Sequence, residues 1–595
     1  MRYLYSKTLS LLIIIFVINS VLEAQIPSGY EKGLSTISQD EIYTNLSFLA
    51  SDSLKGRAAG SSECLISAMY IAEKFQQYGL KPLLPINKKF RKAAAPVLNS
   101  DENETAVDLD VEDESDYDSY FQKFTMKKTR LLENNTISLH QEYENGKSVT
   151  NYKYINDFII QYTGPDDLSI TAPVIFAGYG IDEGENDYND YSDGKKEIDV
   201  RNKIVLIVDG FPQENDPNSS FSKSKNVLYR NIRRKAEAAQ NKGALAVLVV
   251  ASPFKNDPPV NFKFEKRKNI FCRDTYTIPE LTSQSIPVIF ITKNVASNLF
   301  NGTGKTLKAQ LNEIEKTLNP QAFQLADKKL SIDINFHTEL VNTQNVAGFI
   351  EGTDPVLKNE YVVFGAHYDH VGLGYYGAMD KKNAGIVHNG ADDNASGTAG
   401  LIEIAEAFSK TPPKRSIIFI AFSAEENGIH GSRYYVNVQP LKPVEQTIAM
   451  INLDMISRNN DKLLWVGGAF YSEDIIKIAE EANKLVGFEL LYNTGLLSMA
   501  SDQAHFLRKE IPALFFFAGM HDDYHSPSDD IDKVSIKKIE NTSKLAYLSG
   551  WITANSAGKP QYKRVSMEDR AEIVKESLAR QRHYESSKDT ESIKH

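Results

Sequence analysis

Between about residue 343 and residue 555 the chain alternates near-continuous apolar runs with helical patterns, the runs falling at 361–364, 417–422, 448–453 and 513–517. A strand with one face in water alternates apolar and polar residues, whereas a strand apolar at successive positions is buried on both faces. The segment is therefore expected to be α/β, a mostly parallel mixed sheet sandwiched by helices. In open sheets of this kind ligands bind beyond the carboxyl ends of the strands. The residues just after each apolar run thus carry the most information.

Those residues are polar in every case. The first run leads into His367, Tyr368, Asp369 and His370, the second into Glu425 and Glu426, the third into Asp454, and the fourth into His521, Asp522, Asp523, Tyr524 and His525. A fifth contribution is the loop 389–397, with Asp392 and Asp393, which enters a helix whose inner face is Leu401, Ile404, Ala405 and Phe408. Carboxylates also cap helix N-termini, so this pair alone carries two readings, cap or ligand. Two histidines with three or four carboxylates form the donor set of a dinuclear hydrolytic site, in which zinc takes imidazole nitrogen and carboxylate oxygen and one carboxylate is shared. In the His-x-Asp pair, Asp369 is placed to accept the second ring N–H of His367. Of the adjacent Glu425 and Glu426, one is expected to bind metal and the other to hold the proton of an attacking water.

The rest of the chain is read by composition. Arg2 and Lys7 precede an apolar run from Leu9 to Ile18 and small residues up to Ala24, the pattern of a signal peptide over 1–24, so the protein is expected to be exported, periplasmic or secreted, with no stable membrane anchor. Cys64 and Cys272 are the two cysteines and are expected to stay unpaired thiols. The net charge of -11 is concentrated in 101–118, and the nearly balanced remainder excludes a nucleic-acid footprint. Residues 93–118 are too acidic and apolar-poor for a core and read as a disordered insertion. Two helical patterns occupy 40–82, the second with Leu65, Met69, Ala72 and Phe75 on one face and Gly79 as its cap. Short strands and a helix over 165–305 mark a separate β-rich α/β insert. The charged stretch 558–595 reads as a surface helix and a frayed tail.

The motifs Gly365-Ala-His-Tyr-Asp-His-Val-Gly372, Gly390-Ala-Asp-Asp-Asn-Ala-Ser-Gly397, Phe422-Ser-Ala-Glu-Glu-Asn-Gly428, Asn452-Leu-Asp-Met-Ile456 and Asp523-Tyr-His-Ser-Pro-Ser-Asp529 resemble the motif series of the di-zinc aminopeptidase family. That family is related to glutamate carboxypeptidases, glutaminyl cyclases and transferrin receptors. The resemblance extends to 49–60 and 78–82, and 165–305 looks like the protease-associated (PA) domain often inserted in such enzymes. Between the signal peptide at 1–24 and the tail at 558–595, it implies an N-terminal part of the peptidase domain at 25–164, a PA domain at 165–305 and a catalytic zinc exopeptidase domain of phosphorylase/hydrolase-like fold at 306–557. It implies two zinc ions per chain, one held by His367 and Asp454, the other by Glu426 and His525, with Asp393 bridging. Glu425 would be the general base and Tyr524 would steady the oxyanion. Peptide substrates would lose their N-terminal residue to a metal-bridged water. Ser501-Asp-Gln503 departs from the Ser-Asp-His more usual there, which bears on substrate contacts. A glutamate-carboxypeptidase-like exopeptidase is the alternative reading; a receptor-like binding protein and a one-zinc cyclase fit less well, because every ligand and the base are present. The oligomeric state is left open.

Overall fold

The apolar runs of the sequence pack as their composition requires, each with one set of side chains on either side of a sheet. In the computed structural model, which describes residues 26–84, 117–143, 146–161, 167–184, 187–223, 229–254, 274–282, 285–492, 499–566 and 569, the chain divides into two compact units. The first comprises Met1–Lys123 with Gln344–His595, the second Phe124–Thr343. The expected leader at 1–24, most of the acidic insertion, Cys272 and all of the tail beyond 569 lie outside the described residues.

In the first unit the main strands are β1 (Phe336–Ile350, of which 344–350 belong here), β2 (Tyr361–His367), β3 (Ser416–Phe422), β4 (Thr447–Leu453), β5 (Leu463–Gly467), β6 (Glu489–Leu491) and β7 (Ala513–Phe517). Their order across the sheet is β6-β5-β7-β4-β2-β3-β1. The four central strands β7, β4, β2 and β3 are mutually parallel, while β1 on β3 and β5 on β7 are antiparallel. Because side chains alternate across a strand, Val362, Phe364 and Ala366 join one core with Phe419 and Leu453, and Val363 joins the other with Ile418, Ile420 and Met450. The helices are α1 (Gln39–Leu49), α2 (Ser62–Gln77), α3 (Gly397–Lys410), α4 (His430–Asn437), α5 (Glu473–Asn483), α6 (Gln503–Arg508) and α7 (Ile536–Asn555). The first core is closed by α1, α2, α3, α5 and α7, the second by α4 and α6. Mostly parallel strands with helices on both faces are the α/β sandwich expected.

One local reading needs correction. On α2 the buried stripe is Cys64, Ala68, Ile71, Ala72 and Phe75, at i, i+4, i+7, i+8 and i+11, while Leu65 is exposed and Met69 half-buried. The stripe expected from the sequence is one residue off at its start, where the cap Ser61 fixes the helix phase by accepting the N–H of Cys64. The C-terminal end is as expected: Gly79 has φ +76°, and Leu80 N–H bonds Phe75 O at 3.0 Å, a Schellman cap. At the other end of the unit, 558–566 form no helix. They form no regular element, with Tyr562 stacked on Tyr471 at 5.6 Å and Lys563 N–H bonded to Tyr471 O at 2.7 Å. One aromatic anchor and one main-chain bond hold this stretch, while the remainder of 558–595 apart from 569 lies outside the described residues.

The second unit is built on one eight-stranded sheet, ordered 146–153, 136–143, 323–334, 168–176, 204–208, 246–250, 288–291, 158–161. The parallel core of this sheet, with helix Ile232–Asn241 following 204–208, holds the strands anticipated within 165–305. The unit also takes in 124–164 and 306–343, whose strands 136–143 and 323–334 pair with each other, the latter also with 168–176.

Candidate metal centre

Parallel strands bring their carboxyl ends to one edge, and the residues just beyond each end decide what that edge can do. His367 is the last residue of β2; Glu425 and Glu426 come after β3 and Ala424, whose φ of +59° turns the chain; Asp454 directly succeeds β4; and His525 lies in the loop after β7. Asp393 comes from the loop ahead of α3. Asn394 locks that loop to the end of β4, its amide donating to Leu453 O at 2.9 Å and accepting Gly397 N–H at 2.9 Å and Met455 N–H at 3.1 Å. Asp529 accepts the N–H groups of Asp392 and Asp393 at 3.0 to 3.2 Å.

These donors gather into two groups that share Asp393: His367, Asp393 and Asp454, and His370, Asp393, Glu426 and His525, each with its ligand atoms within 4.8 Å of one another. In the first, His367 Nε2 lies 3.2 Å from Asp454 and 3.4 Å from Asp393. In the second, His525 Nε2 lies 2.9 Å from Glu426 and 3.1 Å from Asp393, and His370 Nδ1 lies 2.8 Å from Glu426. Tetrahedral ligands of zinc at ordinary bond lengths stand about 3.3 Å apart. The separations match. His525 Nε2, buried and close to two carboxylates, is aligned for a hydrogen bond to neither, which suits a donor facing a common centre rather than either oxygen. The residues present therefore fit a pair of metal ions, and nitrogen with carboxylate oxygen is a zinc donor set.

His370 is the addition: it stands three residues after His367 in the same strand-end motif, and the sequence pattern assigns it no role. Asp392 is drawn away from the donors. One of its oxygens accepts Ser457 N–H at 2.8 Å and the Ser457 hydroxyl at 2.5 Å, and the other faces His521 at 3.2 Å. The expected partner of His367 also differs. Its Nδ1 meets the main-chain carbonyl of Asp369 at 3.1 Å, with the carboxylate at 3.8 Å. The tight turn after β2 swings the Asp369 side chain to the neighbouring strand end, where it accepts Glu425 N–H at 3.1 Å and Glu426 N–H at 3.4 Å. Asp369 thus orients the Glu-Glu turn. Gln503 is fully buried and accepts from the Asn452 amide at 2.9 Å, so the departure from Ser-Asp-His is filled by an internal hydrogen bond.

Burial pushes up the pKa of Asp393, Glu425 and Glu426, and the neighbours of each decide the net direction. At Asp393 the imidazoles of His367 and His525 overcome burial and hold it well below the usual range. At Glu426, burial is outweighed chiefly by His525 and the hydrogen bond from His370, bringing it to about 2. Glu425 goes the other way: burial, reinforced by Glu426, Asp454 and Asp502, carries it well above the ordinary value despite His367. Tyr524, half-buried and stacked on His525 at 3.8 Å, is pushed far up by burial and by Glu426 and Asp393, so its hydroxyl stays a donor.

Comparison with known proteins gives the same account of the two units. Residues 345–549 match the model of Peptidase family M28, and residues 170–299 match the PA domain. Aminopeptidase YwaD of Bacillus subtilis (strain 168) is 26% identical over 245 residues, 40% of this chain and 50% of that protein. Aminopeptidase NAALADL1 of Mus musculus is 33% identical over 144 residues, 23% of this chain and 17% of that one. The matches thus span half the length of these curated relatives or less. Among solved structures, an aminopeptidase from Aneurinibacillus sp. strain AM-1 aligns with TM-score 0.48 at 19% identity, over 90% of this chain and 99% of that one.

Proposed function

From the premise that residues 345–549 are a Peptidase family M28 domain, we propose that this chain is a zinc-dependent aminopeptidase, an exopeptidase that hydrolyses the N-terminal residue of peptides. One observation carries the reading: two donor groups share Asp393, and beside them Glu425, which belongs to neither, has its ionisation pushed opposite to that of its neighbour Glu426. Pairs of carboxyl groups driven apart in this way mark a division of labour between charge and proton transfer. His367 and Asp454 would hold one zinc, Glu426 and His525 the other with His370 beside them, and Asp393 both. Bound zinc supplies Lewis acidity and lowers the pKa of water toward neutrality.

The chain's own part in the reaction is to place and move a proton. The Glu425 carboxylate accepts a proton from the attacking water and passes it to the departing amine. Asp369 fixes the Glu425 main chain, so the carboxylate is presented from a turn that does not wander. The Tyr524 hydroxyl donates toward the oxygen of the scissile carbonyl as charge develops there. Among the described residues no helix is long and apolar enough to cross a membrane, and the leader at 1–24 supports export.

The test is a panel of aminoacyl fluorogenic substrates, each with and without N-acetylation, on zinc-loaded protein. Hydrolysis restricted to free amino termini is expected. Turnover of N-blocked peptides with release of a C-terminal acidic residue would replace the aminopeptidase reading by the carboxypeptidase one, and no turnover of either set would sink both.

A further inference from the structure

Arg57 is wholly buried, and among the described residues its guanidinium makes hydrogen bonds only to main-chain carbonyls. Nε donates to Tyr368 O at 2.9 Å, Nη1 to Asn389 O at 2.6 Å and to Leu49 O, and Nη2 to Gly390 O at 3.1 Å. Tyr368 lies between His367 and Asp369; Asn389 and Gly390 open the loop that carries Asp393. A single side chain from the N-terminal segment therefore ties together the two strand-end loops that deliver His367 and Asp393.

The backbone around it does the same. Lys55, Gly56 and Arg57 have φ of +41°, +72° and +51°, a left-handed run that turns the segment into the space between the loops. A side chain at Gly56 would stand 2.2 Å from His388 O and 2.7 Å from Gly372 O, so only glycine allows the approach. Gly56 O accepts Gly372 N–H at 3.1 Å, Arg57 O accepts His370 N–H at 3.3 Å, and Asp52 accepts the Asn389 amide at 2.7 Å.

We infer that Arg57 is a positioning residue of the metal centre: its planar fork sets the spacing of the His367 and Asp393 loops and so the affinity for both ions, a conclusion that rests on the metal-dependent reading above. A guanidinium holds five donors in one rigid plane and here makes four bonds to carbonyls, whereas an ammonium brings three donors on a flexible stem and cannot reproduce all four. Charge alone does not substitute for it.

The test is zinc affinity, measured by competition with a chromophoric chelator, for wild type, Arg57→Lys, Asp52→Ala and Glu426→Gln, with far-UV circular dichroism and thermal melting alongside. Groups that orient metal ligands typically change affinity about 10- to 100-fold when removed. Arg57→Lys is expected to fold and to weaken both zinc equivalents by that order, because Asp393 serves both, with excess zinc restoring turnover. Glu426→Gln should loosen one equivalent only. Asp52 is exposed, and its alanine variant should fold and shift zinc affinity the same way by a smaller factor. A folded Arg57→Lys with wild-type affinity for both ions overturns the inference, even with a lowered melting temperature. Should Arg57→Lys not fold, an unchanged affinity in Asp52→Ala overturns it instead. A wild-type protein that takes up no zinc would sink the metal-dependent reading and this inference with it.

Discussion

Glu425 and Glu426 are chain neighbours in one turn, yet His370 and His525 reach only the second. Substituting each by glutamine should separate them by metal content rather than by activity. Glu425→Gln is expected to retain two zinc equivalents and the fold while losing about a hundredfold or more in turnover, the usual range for a positioned base. Glu426→Gln is expected to lose zinc, with partial recovery in excess metal. Metal analysis beside turnover decides it, and the reverse pattern of metal loss would exchange the two assignments. A third glutamate makes a prediction of another kind. Glu403 on α3 is fully buried, bonded by the Asn45 amide at 3.1 Å and Ser38 N–H at 3.3 Å, and burial followed by Glu41 and Glu406 raises its pKa to about 8. The folded protein then holds a proton that the unfolded chain has released, so stability from this group falls as pH rises from the ordinary value of 4.5 toward 8. The melting temperature of Glu403→Gln minus that of wild type should therefore climb across that window. A difference independent of pH would mean that Glu403 is ionised throughout.

Among the elements, the strand ends deliver donors and the loop 373–387 frames them. It is tied to the site from both sides of one residue, His525 Nδ1 donating to Gly377 O at 2.9 Å and Met379 N–H to His525 O at 3.1 Å. It also leaves Tyr375, Met379 and Ile386 exposed, at 78%, 71% and 49%, within a dozen residues. Apolar groups left in water beside a reaction centre are available to a substrate side chain. The double variant Tyr375→Ser with Met379→Ser is expected to raise KM several-fold for peptides with apolar side chains while leaving kcat within about twofold, the signature of lost uniform binding. Equal KM values for apolar and polar peptides in wild type and variant would remove the loop from substrate recognition.

On the scale of the molecule, the second unit has cores of its own on both faces of its sheet, one around Val174, Leu206 and Leu248, the other around Val205, Val247 and Phe290. A unit that closes its own cores is expected to fold alone. The fragment 124–343 should therefore give a cooperative thermal transition by circular dichroism, and a non-cooperative or absent transition would show that its stability depends on the rest of the chain.

Much of this was legible from residue order. Unbroken apolar runs need cover on both faces, so the parallel sheet and its helices could be read from 361–364, 417–422, 448–453 and 513–517, and the importance of the polar residues after each run from where such sheets bind ligands. Sequence spacing could separate neither Asp392 from Asp393 nor Glu425 from Glu426 without the family resemblance, because adjacent residues share a loop but not a direction. Only the folded chain shows Asp392 turned to Ser457 and His521, His370 joined to Glu426, and the Asp369 carboxylate turned to the Glu-Glu turn. Arg57 lies in the segment 49–60 that shares the resemblance, but its role was equally invisible, because main-chain carbonyls of two loops more than 300 positions away leave no pattern in side-chain order. Periodicity is a local property and fixed the elements; the direction of a side chain at a strand end depends on what the other strands bring to that edge, and that is decided by tertiary structure alone.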